Sequence, residues 1–468
     1  MTTAKVAAVV LAAGGSTRFG EAKQLLDWNG RPLVAHIVDL AWSAGLTPVT
    51  VVVGAEAERV ISALEGRPCQ ILRNYRWPEG LSSSLSVGLA ALPTSIEAAV
   101  FLPVDQPCLT PQFLQALVER WHSGDADIII PTYRGQRSGP VLFARALFPE
   151  LAQLSGDVGG RALFDAYAER LATLPVTDPR LLADVDTPEA YANLRAQTAQ
   201  RDPVEMLRTI RAIICDMDGV LWRGKQVLPG FREFFELLQK HDLRYTLVTN
   251  NASRTPEQYV EKLALLGVTT SVECVLSAAL AAADYLAENA APGALVYPVG
   301  GEGVHAALRA RGFQLSTGDA ADYVVVGWSP KTTWYEMAAA TLLIRQGVPF
   351  IGTNPDRTFP SERGLVPGAG SQLALLEAAT DVQPLVVGKP EPILYQQALA
   401  RMDASPAETL VIGDRLDTDI LGGLRQGLHT ALLLSGIQRR EDLVQSPIHP
   451  ELVFDDLAEL VEVWESGD

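Results

Sequence analysis

Residues 212–221 of the chain read Ala-Ile-Ile-Cys-Asp-Met-Asp-Gly-Val-Leu. The apolar run predicts a strand, and two aspartates, Asp216 and Asp218, follow at its end. Residues i and i+2 of an extended backbone point to the same side, so the two carboxylates share one site. Neighbouring carboxylates repel each other unless a cation or a bound phosphate organises them. A plain surface turn is the alternative interpretation.

Similar apolar runs alternate with helical patterns along the whole chain, for example at Val6–Leu11, Ala98–Pro103, Tyr245–Val248 and Thr409–Ile412. Consecutive rather than alternating apolar residues predict strands covered on both faces, as in parallel α/β sheets. The predicted fold class is therefore α/β, with two doubly wound, mainly parallel-sheet (Rossmann-like) domains. Polar residues follow several of these runs, at the strand ends where such sheets bind ligands.

A polar segment without strand character, Arg195–Pro203, divides the chain. We expect a first domain at residues 1–199, a linker at 200–209 and a second domain at 210–468. The two halves share an α/β rhythm but not their motifs, so they are not repeats of each other.

The composition narrows the function classes. A net charge of −17 over 468 residues argues against a nucleic-acid partner. A small anionic ligand remains compatible, because a few backbone N–H groups and one or two lysines suffice locally. Four dispersed cysteines without a C-x-x-C pair, and no apolar run of membrane length, predict a cytoplasmic protein without a membrane partner. Nothing in these residues indicates an oligomeric state.

The first predicted strand leads into a glycine-containing segment, Leu11-Ala-Ala-Gly-Gly-Ser-Thr-Arg-Phe-Gly20. Glycines permit a tight turn and let backbone N–H groups approach phosphate oxygens. Arg18 and the nearby Lys23 would add positive charge at a phosphate chain. The segment fits neither the Walker A pattern nor G-x-G-x-x-G, and an ordinary strand–helix turn is the alternative.

In full, this segment with Lys23 and Gly30-Arg-Pro-Leu33 resembles the MobA-like nucleotidyltransferases, and among them the molybdenum-cofactor cytidylyltransferases. Later segments of the first half, such as Pro103-Val-Asp-Gln-Pro107 and Asp184-Val-Asp-Thr-Pro188, extend the resemblance. It implies nucleotide contacts from Leu11, Ala12, Ala13, Gly14, Gly15, Ser16, Gly20, Asn74, Ser82, Ser83 and Ser84. It also implies catalytic roles for Arg18 and Lys23, acceptor contacts from Asp157 and Arg161, and Mg²⁺ on Asp105 with Asp186 or Asp184.

One segment departs from that family. Relatives often carry Gly-His-Pro where this chain has Arg137-Ser-Gly-Pro-Val141. The acceptor therefore stays open between a molybdopterin-type cofactor and a phosphorylated sugar or polyol.

Three motifs follow Asp216 and Asp218 in order: Thr249-Asn-Asn251, Gly388-Lys389-Pro390 and Gly413-Asp414 with Asp419. The set resembles the haloacid dehalogenase (HAD) superfamily. The resemblance implies that Asp216 attacks phosphorus and that Asp218 is the general acid and base. It also implies that the Thr249 hydroxyl holds the transferring phosphoryl group and that Lys389 supplies a balancing positive charge. The implied Mg²⁺ ligands are Asp216, Asp218, Asp414 and Asp419.

About 140 residues separate Thr249 from Lys389, enough for an inserted α/β cap, which we expect at 291–383 between core segments 210–290 and 384–468. Asn354-Pro-Asp-Arg-Thr358 and Gly364–Gly370 resemble the NagD-like phosphatases, which act on small phosphate esters. Substrate contacts are implied for Asn250, Asn251, Asn354 and Asp356, although Asn354-Pro-Asp could equally be a structural turn.

The leading hypothesis is a bifunctional Mg²⁺-dependent enzyme. One domain would transfer a nucleotidyl group, with cytidylyl favoured, from a nucleoside triphosphate to a small phosphorylated acceptor. The other would hydrolyse a small phosphate ester. The alternatives are a sugar- or polyol-phosphate nucleotidyltransferase fused to a phosphatase, and a nucleotide-sensing protein with an inactive transferase domain.

Overall fold

The structure is a computed structural model that describes residues 5–15, 19, 22–198, 203–361 and 364–466. The chain forms two compact units. The first comprises Met1–Asp202 with Glu441–Ile448, and the second comprises Pro203–Arg440 with His449–Asp468. Both units combine helices with mainly parallel sheets, which confirms the predicted fold class.

The first unit is built on one large sheet. Its strands, in spatial order, are Leu171–Pro175, Ile128–Tyr133, Val141–Ala144, Ala98–Pro103, Val6–Ala12, Val49–Val53 and Gln70–Arg73. Val141–Ala144 runs antiparallel to both of its neighbours, and the other pairs on this path are parallel. Gln136–Arg137 pairs with Ile128–Tyr133 at the side of the sheet. The α-helices described in this unit are Leu33–Ser43, Ala57–Ser62, Leu81–Ala90, Pro111–His122, Phe148–Leu151, Pro188–Thr198 and Asp442–Gln445.

The central strand Val6–Ala12 shows why its apolar residues are consecutive. Ala8 and Val10 pack into one apolar cluster with helix Leu33–Ser43, whereas Ala7 and Val9 pack into another with helix Leu81–Ala90. Both faces of the strand are therefore covered, as a doubly wound sheet requires. The carboxyl ends of the parallel strands meet at one edge of the sheet, and the polar motifs follow there.

The second unit has a core sheet of six parallel strands. In spatial order they are Val275–Ser277, Arg244–Thr249, Ala212–Asp216, Thr409–Gly413, His429–Leu433 and Leu452–Phe454. The helices of the core are Pro203–Leu207, Phe231–Lys240, Pro256–Leu265, Ala278–Asn289, Pro392–Met402, Leu421–Arg425 and Leu457–Glu465. A short hairpin, Trp222–Arg223 with Gln226–Val227, follows the first strand.

A second parallel sheet forms the inserted cap. Its strands, in spatial order, are Gln314–Leu315, Leu295–Val299, Tyr323–Val326, Phe350–Gly352 and Leu385–Val386. Its helices are Glu302–Ala310, Trp334–Arg345 and Ala369–Thr380, and a hairpin joins Thr358–Ser361 to Gly364–Pro367.

Two predicted boundaries differ from the structure. The expected linker at 200–209 contains the helix Pro203–Leu207, whose Met206 and Leu207 are buried in the core of the second unit. The strand Leu385–Val386, expected in the core, pairs with Phe350–Gly352 of the cap sheet. The polar segment Arg195–Pro203 suggested the first of these bounds, and the resemblance to the NagD-like phosphatases suggested the second. Among the described residues, no helix is long and apolar enough to cross a membrane.

Candidate active sites

A buried lysine organises the motifs of the second unit. Lys389 lies three residues beyond strand Leu385–Val386, and its side chain is 3% exposed. Its ammonium Nζ donates to Asp216 Oδ1 at 2.5 Å and to Asp419 Oδ1 at 2.6 Å. Lys389 is separated from Asp216 by 173 positions and from Asp419 by 30, so the fold brings together three motifs that lie far apart in the sequence.

Asp414 completes a cluster of three buried carboxylates. Oxygen atoms of Asp216, Asp414 and Asp419 all lie within 4.8 Å of one another. A Cβ atom added at Gly219 or Gly436 would come within 2.2 or 1.9 Å of Asp414 Oδ2, so only glycine backbone fits around this carboxylate. Three carboxylates face one ammonium group, and this excess of negative oxygen ligands fits Mg²⁺.

The backbone after Asp414 explains how Asp419 reaches the cluster. Leu416–Ile420 is a π-helical turn, which begins directly after the Asp414-Arg415 pair. A wider turn of this kind is frequent at functional sites. The Tyr395 hydroxyl donates to the carbonyls of Thr418 and Asp419 at 3.1 Å each, which holds the turn in place.

Burial and like charge shift the titration of this cluster. Burial raises the pKa of Asp216 well above its ordinary value, although Lys389 opposes the shift. Burial and then Asp419 raise the pKa of Asp414 to about 7. Burial alone would lower the pKa of Lys389, but Asp216 and Asp419 outweigh it and the pKa is raised. The lysine therefore stays charged, and Asp216 and Asp414 bind protons more readily than free aspartates do until a cation joins them.

Asp218, expected among the metal ligands, lies apart from this cluster. Its side chain is exposed, and Oδ1 accepts a hydrogen bond from the Trp222 indole at 2.9 Å. The strand Ala212–Asp216 ends at Asp216, so Asp218 lies beyond the extended backbone that would point the two carboxylates to the same side.

The Thr249-Asn-Asn251 motif is mostly structural in its contacts. Thr249 is buried, and its Oγ1 accepts from the backbone N–H of Asn251 at 3.0 Å. Asn250 Oδ1 accepts from the Lys389 backbone N–H at 2.9 Å, and Nδ2 donates to the Lys389 carbonyl at 2.9 Å and to Asp356 Oδ2 at 3.2 Å. Asn250 thereby fixes the backbone that carries Lys389. Asn251 Oδ1 accepts from Ser253.

Asn354 and Asp356 come from the cap and meet the core at this point. The Asn354 amide donates to the Asn250 carbonyl at 2.7 Å, and its Oδ1 accepts from the Asp356 backbone N–H at 3.2 Å. Burial raises the pKa of Asp356, whereas Arg415 lowers it. Arg415, which the motif analysis passed over, therefore places a cation near the cap carboxylate.

The first unit also holds a lysine between carboxylates. Lys23 Nζ donates to Asp186 Oδ1 at 2.6 Å and to Asp105 Oδ2 at 3.4 Å. The backbone N–H of Val185 donates to the Asp105 carbonyl at 2.8 Å, which joins the segment of Asp184 and Asp186 to the end of strand Ala98–Pro103. The predicted metal ligands and the predicted catalytic lysine therefore meet in one site.

Asp184 is held by a residue that the motif analysis did not single out. Gln106 is almost fully buried, and its Nε2 donates to Asp184 Oδ1 at 3.0 Å and to Ser138 Oγ at 3.3 Å. Burial and then Asp105 raise the pKa of Asp184 to about 6. Gln106 connects the acidic segment to Ser138, within the segment that departs from the family pattern.

The glycine segment is supported from beneath by Gln24. Its Nε2 donates to the carbonyls of Ala12 and Gly14, at 3.0 and 2.6 Å. A Cβ at Gly15 would lie 3.1 Å from the Trp77 ring, and one at Gly54 would lie 2.7 Å from it. Leu11, Ala12 and Ala13 lead into the turn, and Gly14 and Gly15 are exposed. Ser16, Arg18 and Gly20, predicted to contact the nucleotide, lie outside the described residues.

The other predicted nucleotide contacts form hydrogen bonds within the first unit. The Asn74 amide donates to the hydroxyls of Ser83 and Ser84, at 2.8 and 3.0 Å, and all three residues are buried. Ser82 Oγ donates to the Gly156 carbonyl at 2.7 Å, and Asp157 Oδ1 accepts from the Leu81 backbone N–H at 3.3 Å. These residues shape the start of helix Leu81–Ala90. Arg161 is exposed in the short helix Gly160–Leu163.

Each of the two α/β units places a lysine among carboxylates, an arrangement typical of sites that stabilise a phosphoryl group. Residues 8–171 match the family model of the MobA-like NTP transferase domain. Residues 213–314 match that of the haloacid dehalogenase-like hydrolases, and residues 386–460 match a second model of HAD-like hydrolases. The chain belongs to the haloacid dehalogenase-like hydrolases and carries a MobA-like NTP transferase domain ahead of the hydrolase. Both predicted resemblances are confirmed.

Known relatives cover the second half of the chain. The acid sugar phosphatase of Staphylococcus saprophyticus is 35% identical over 259 residues, which are 55% of this chain and 100% of that protein. The structure of NagD from E. coli is 34% identical, with a TM-score of 0.50 over 53% of this chain and 98% of that one. The structure of a glycerol phosphate phosphatase from Mycobacterium tuberculosis, in complex with magnesium, is 38% identical, with a TM-score of 0.51. The match covers 55% of this chain and 77% of that one.

Proposed function

We propose that the second unit hydrolyses a small phosphate ester through a phosphorylated Asp216. The observation that carries this proposal is the buried Lys389 ammonium, 2.5 Å from Asp216 and 2.6 Å from Asp419. A lysine held there balances the charge of a transferring phosphoryl group in a site closed to water. The acid sugar phosphatase and glycerol phosphate phosphatase relatives support sugar or polyol phosphates as the substrate class.

The hydrolysis takes place in two transfers of the phosphoryl group, first to Asp216 and then to water. An Asp216 oxygen attacks phosphorus, so that an aspartyl–phosphate bond forms and the bond to the ester oxygen breaks. Asp218 gives its proton to that leaving oxygen. A water oxygen then attacks phosphorus and loses a proton to Asp218, while the bond between Asp216 and phosphorus breaks and inorganic phosphate is released. Thr249 orients the phosphoryl group. Mg²⁺ held by Asp216, Asp414 and Asp419 would neutralise phosphoryl oxygens during both transfers.

Phosphate release from a panel of sugar and polyol phosphates tests this proposal. Asp216→Asn should abolish release, because the amide is not a nucleophile towards phosphorus. Asp381→Asn is the matched control, since Asp381 is an exposed cap residue with a positive φ that asparagine tolerates. Asp216→Asn activity equal to that of Asp381→Asn would overturn the assignment of the nucleophile.

We further propose that the first unit transfers a cytidylyl group from CTP to a small phosphorylated acceptor, with molybdopterin as the leading candidate. Lys23, between Asp105 and Asp186 beside the glycine segment, supports this reaction. An acceptor phosphate oxygen attacks the α-phosphorus, the bond to the bridging oxygen breaks, and pyrophosphate leaves. Lys23 would balance charge on the departing pyrophosphate. Mg²⁺ held by Asp105 and Asp186 would neutralise the triphosphate.

Pyrophosphate release from the four common ribonucleoside triphosphates tests this second activity, with molybdopterin, sugar phosphates and polyol phosphates as separate acceptors. We expect CTP with molybdopterin to be turned over fastest, and Asp105→Ala to abolish release while phosphate ester hydrolysis continues. Faster turnover with a sugar or polyol phosphate would transfer the assignment to that acceptor class. Turnover that survives Asp105→Ala would overturn the metal assignment.

A further inference from the structure

Trp222 lies four residues after Asp218, in the hairpin that follows the first core strand, and its side chain is buried. The backbone N–H of Gly219 donates to the Trp222 carbonyl at 2.8 Å, which closes a tight loop between the two residues. This loop brings the Trp222 indole back beside Asp218. There, Nε1–H donates to Asp218 Oδ1 at 2.9 Å.

This hydrogen bond constrains an otherwise exposed carboxylate. The indole N–H is a donor only, so Oδ1 must act as the acceptor. Without that donor an exposed aspartate would exchange between staggered rotamers. With Oδ1 engaged, Oδ2 is the oxygen that remains for proton exchange with a ligand.

Lys262, from helix Pro256–Leu265, lies on the ring of Trp222. Its Nζ is 3.5 Å from the ring centroid and donates to the Gly224 carbonyl at 3.2 Å. A cation over the face of an indole is attracted by the ring quadrupole. It draws electron density from the ring and so strengthens the indole N–H as a donor to Asp218.

We propose that Trp222 is a positioning residue for the general acid: its indole N–H fixes Asp218 Oδ1 so that Oδ2 delivers the proton to the leaving oxygen. The inference rests on the proposed function, in which Asp218 is that acid. The proton passes from Oδ2 to the ester oxygen as its bond to phosphorus breaks, and the Asp218 carboxylate later accepts a proton from the attacking water. Trp222 does not touch the reacting atoms.

Leaving-group dependence separates this role from a general structural one. An alkyl phosphate such as glycerol 3-phosphate releases an alkoxide that needs a proton, whereas p-nitrophenyl phosphate releases a stable phenolate that does not. The ratio kcat/KM reports the steps up to departure of the leaving group, and therefore excludes the later hydrolysis of the phosphoaspartate. Comparing the two esters within one variant also cancels any difference in the folded fraction.

Trp222→Phe should lower kcat/KM for glycerol 3-phosphate roughly ten- to hundredfold, with a much smaller loss for p-nitrophenyl phosphate. Lys262→Met, which keeps the indole N–H, should show the same preference to a smaller degree. Trp464→Phe is the control, because Trp464 is buried in the same apolar cluster as Trp222 but has its ring beside that of His241, at 6.4 Å between ring centroids. It should leave the ratio between the two esters unchanged.

Asp218→Asn provides the reference for interpretation. Suppose that Asp218→Asn discriminates between the esters, whereas Trp222→Phe lowers kcat/KM equally for both esters or for neither of them. The positioning role is then overturned, and the proposed function stands. If Asp218→Asn itself fails to discriminate, the assignment of Asp218 as the acid fails, and the inference fails with it. Discrimination by both variants supports the positioning role.

Discussion

Two lysines in this chain each donate to two aspartates, and the surroundings of the two sites differ in exposure to water. Lys389 is 3% exposed and its partners Asp216 and Asp419 are almost fully buried. Lys23 is 11% exposed, but its partner Asp186 is 54% exposed and Asp105 is 26% exposed. The same chemical arrangement therefore lies in a low-dielectric site in one unit and at a solvated edge in the other.

Because of this difference in burial, the two lysines should differ in what they contribute to folding stability, although both can contribute to catalysis. Removing one member of a buried ionic group leaves uncompensated charge that water cannot reach, whereas an exposed pair contributes little to folding. Both lysines can still stabilise a phosphoryl transition state, because that depends on charge placed where the reaction develops it. We therefore expect both lysines to matter for activity and only one to matter for folding.

The largest effect is expected for Lys389→Met. Three buried carboxylates would face one another without an ammonium group, so the second unit should lose on the order of 3–5 kcal/mol of stability. Phosphate ester hydrolysis should fall below detection, while pyrophosphate release by the first unit continues. Calorimetry of the full chain, with and without Mg²⁺, measures the stability change.

Lys331→Met serves as the control for that variant, because Lys331 is an exposed lysine of the cap. It should leave both the thermal transitions and hydrolysis as they are. A Lys389→Met protein that melts like the Lys331→Met protein would show that burial does not make this lysine structural.

Lys23→Met should lower nucleotidyl transfer roughly 10²-fold, the scale of losing one preorganised charge contact. The first unit should lose no more than about 1 kcal/mol of stability, because Asp186 is well solvated. Pyrophosphate release and calorimetry on the same preparations measure both quantities. A stability loss as large as that of Lys389→Met would abolish the distinction between the two sites.

Much of this arrangement follows from the sequence, because parallel strands place their carboxyl ends at one edge. Asp216, Thr249 and Asp414 each end or follow a core strand, so their proximity was predictable once those strands were recognised. Lys389 was predictable only through the HAD resemblance, since it follows a strand of the cap sheet. Its reach into the core depends on Asn250, whose side chain binds the Lys389 backbone on both sides.

Other features depend on side-chain contacts that no pattern encodes. Asn74, Ser83 and Ser84 were predicted to contact the nucleotide, yet their side chains form hydrogen bonds with one another in the interior. Gln106 and Gln24 carry no motif of their own, although each lies next to a predicted residue. A buried amide must find partners, and the tertiary structure decides which partners it finds.

Gln106→Leu tests the first unit at a smaller scale. The substitution keeps the buried volume but removes the donor to Asp184, so we expect a loss of roughly tenfold in nucleotidyl transfer, on the scale of one lost hydrogen bond to a charged group. Gln136→Leu, at an exposed position of the strand Gln136–Arg137, is the control. Equal rates for the two variants would mean that Asp184 needs no donor.

A third lysine, Lys262, is partly buried but has no carboxylate in direct contact among the hydrogen bonds and ion pairs of the described residues. Burial lowers the pKa of Lys262 to about 8, and Asp218 does not fully oppose the shift. Two aspartates bind Lys389 directly, whereas Lys262 has the Trp222 ring and a backbone carbonyl. Direct carboxylate contacts, rather than burial, thus decide whether the pKa of a lysine here is raised or lowered.

The sign of the resulting pH dependence follows from proton linkage. Between pH 8 and the ordinary lysine value of 10.5, the unfolded chain binds the Lys262 proton and the folded chain does not. The unfolded state then carries more protons, so this group makes the free energy of unfolding rise with pH in that window and adds no slope below it. Denaturant unfolding from pH 7 to pH 10 should therefore show wild type gaining stability relative to Lys262→Met above pH 8. A difference that stays constant or falls would mean that the folded lysine keeps its proton, and direct carboxylate contacts would then not be what distinguishes Lys389.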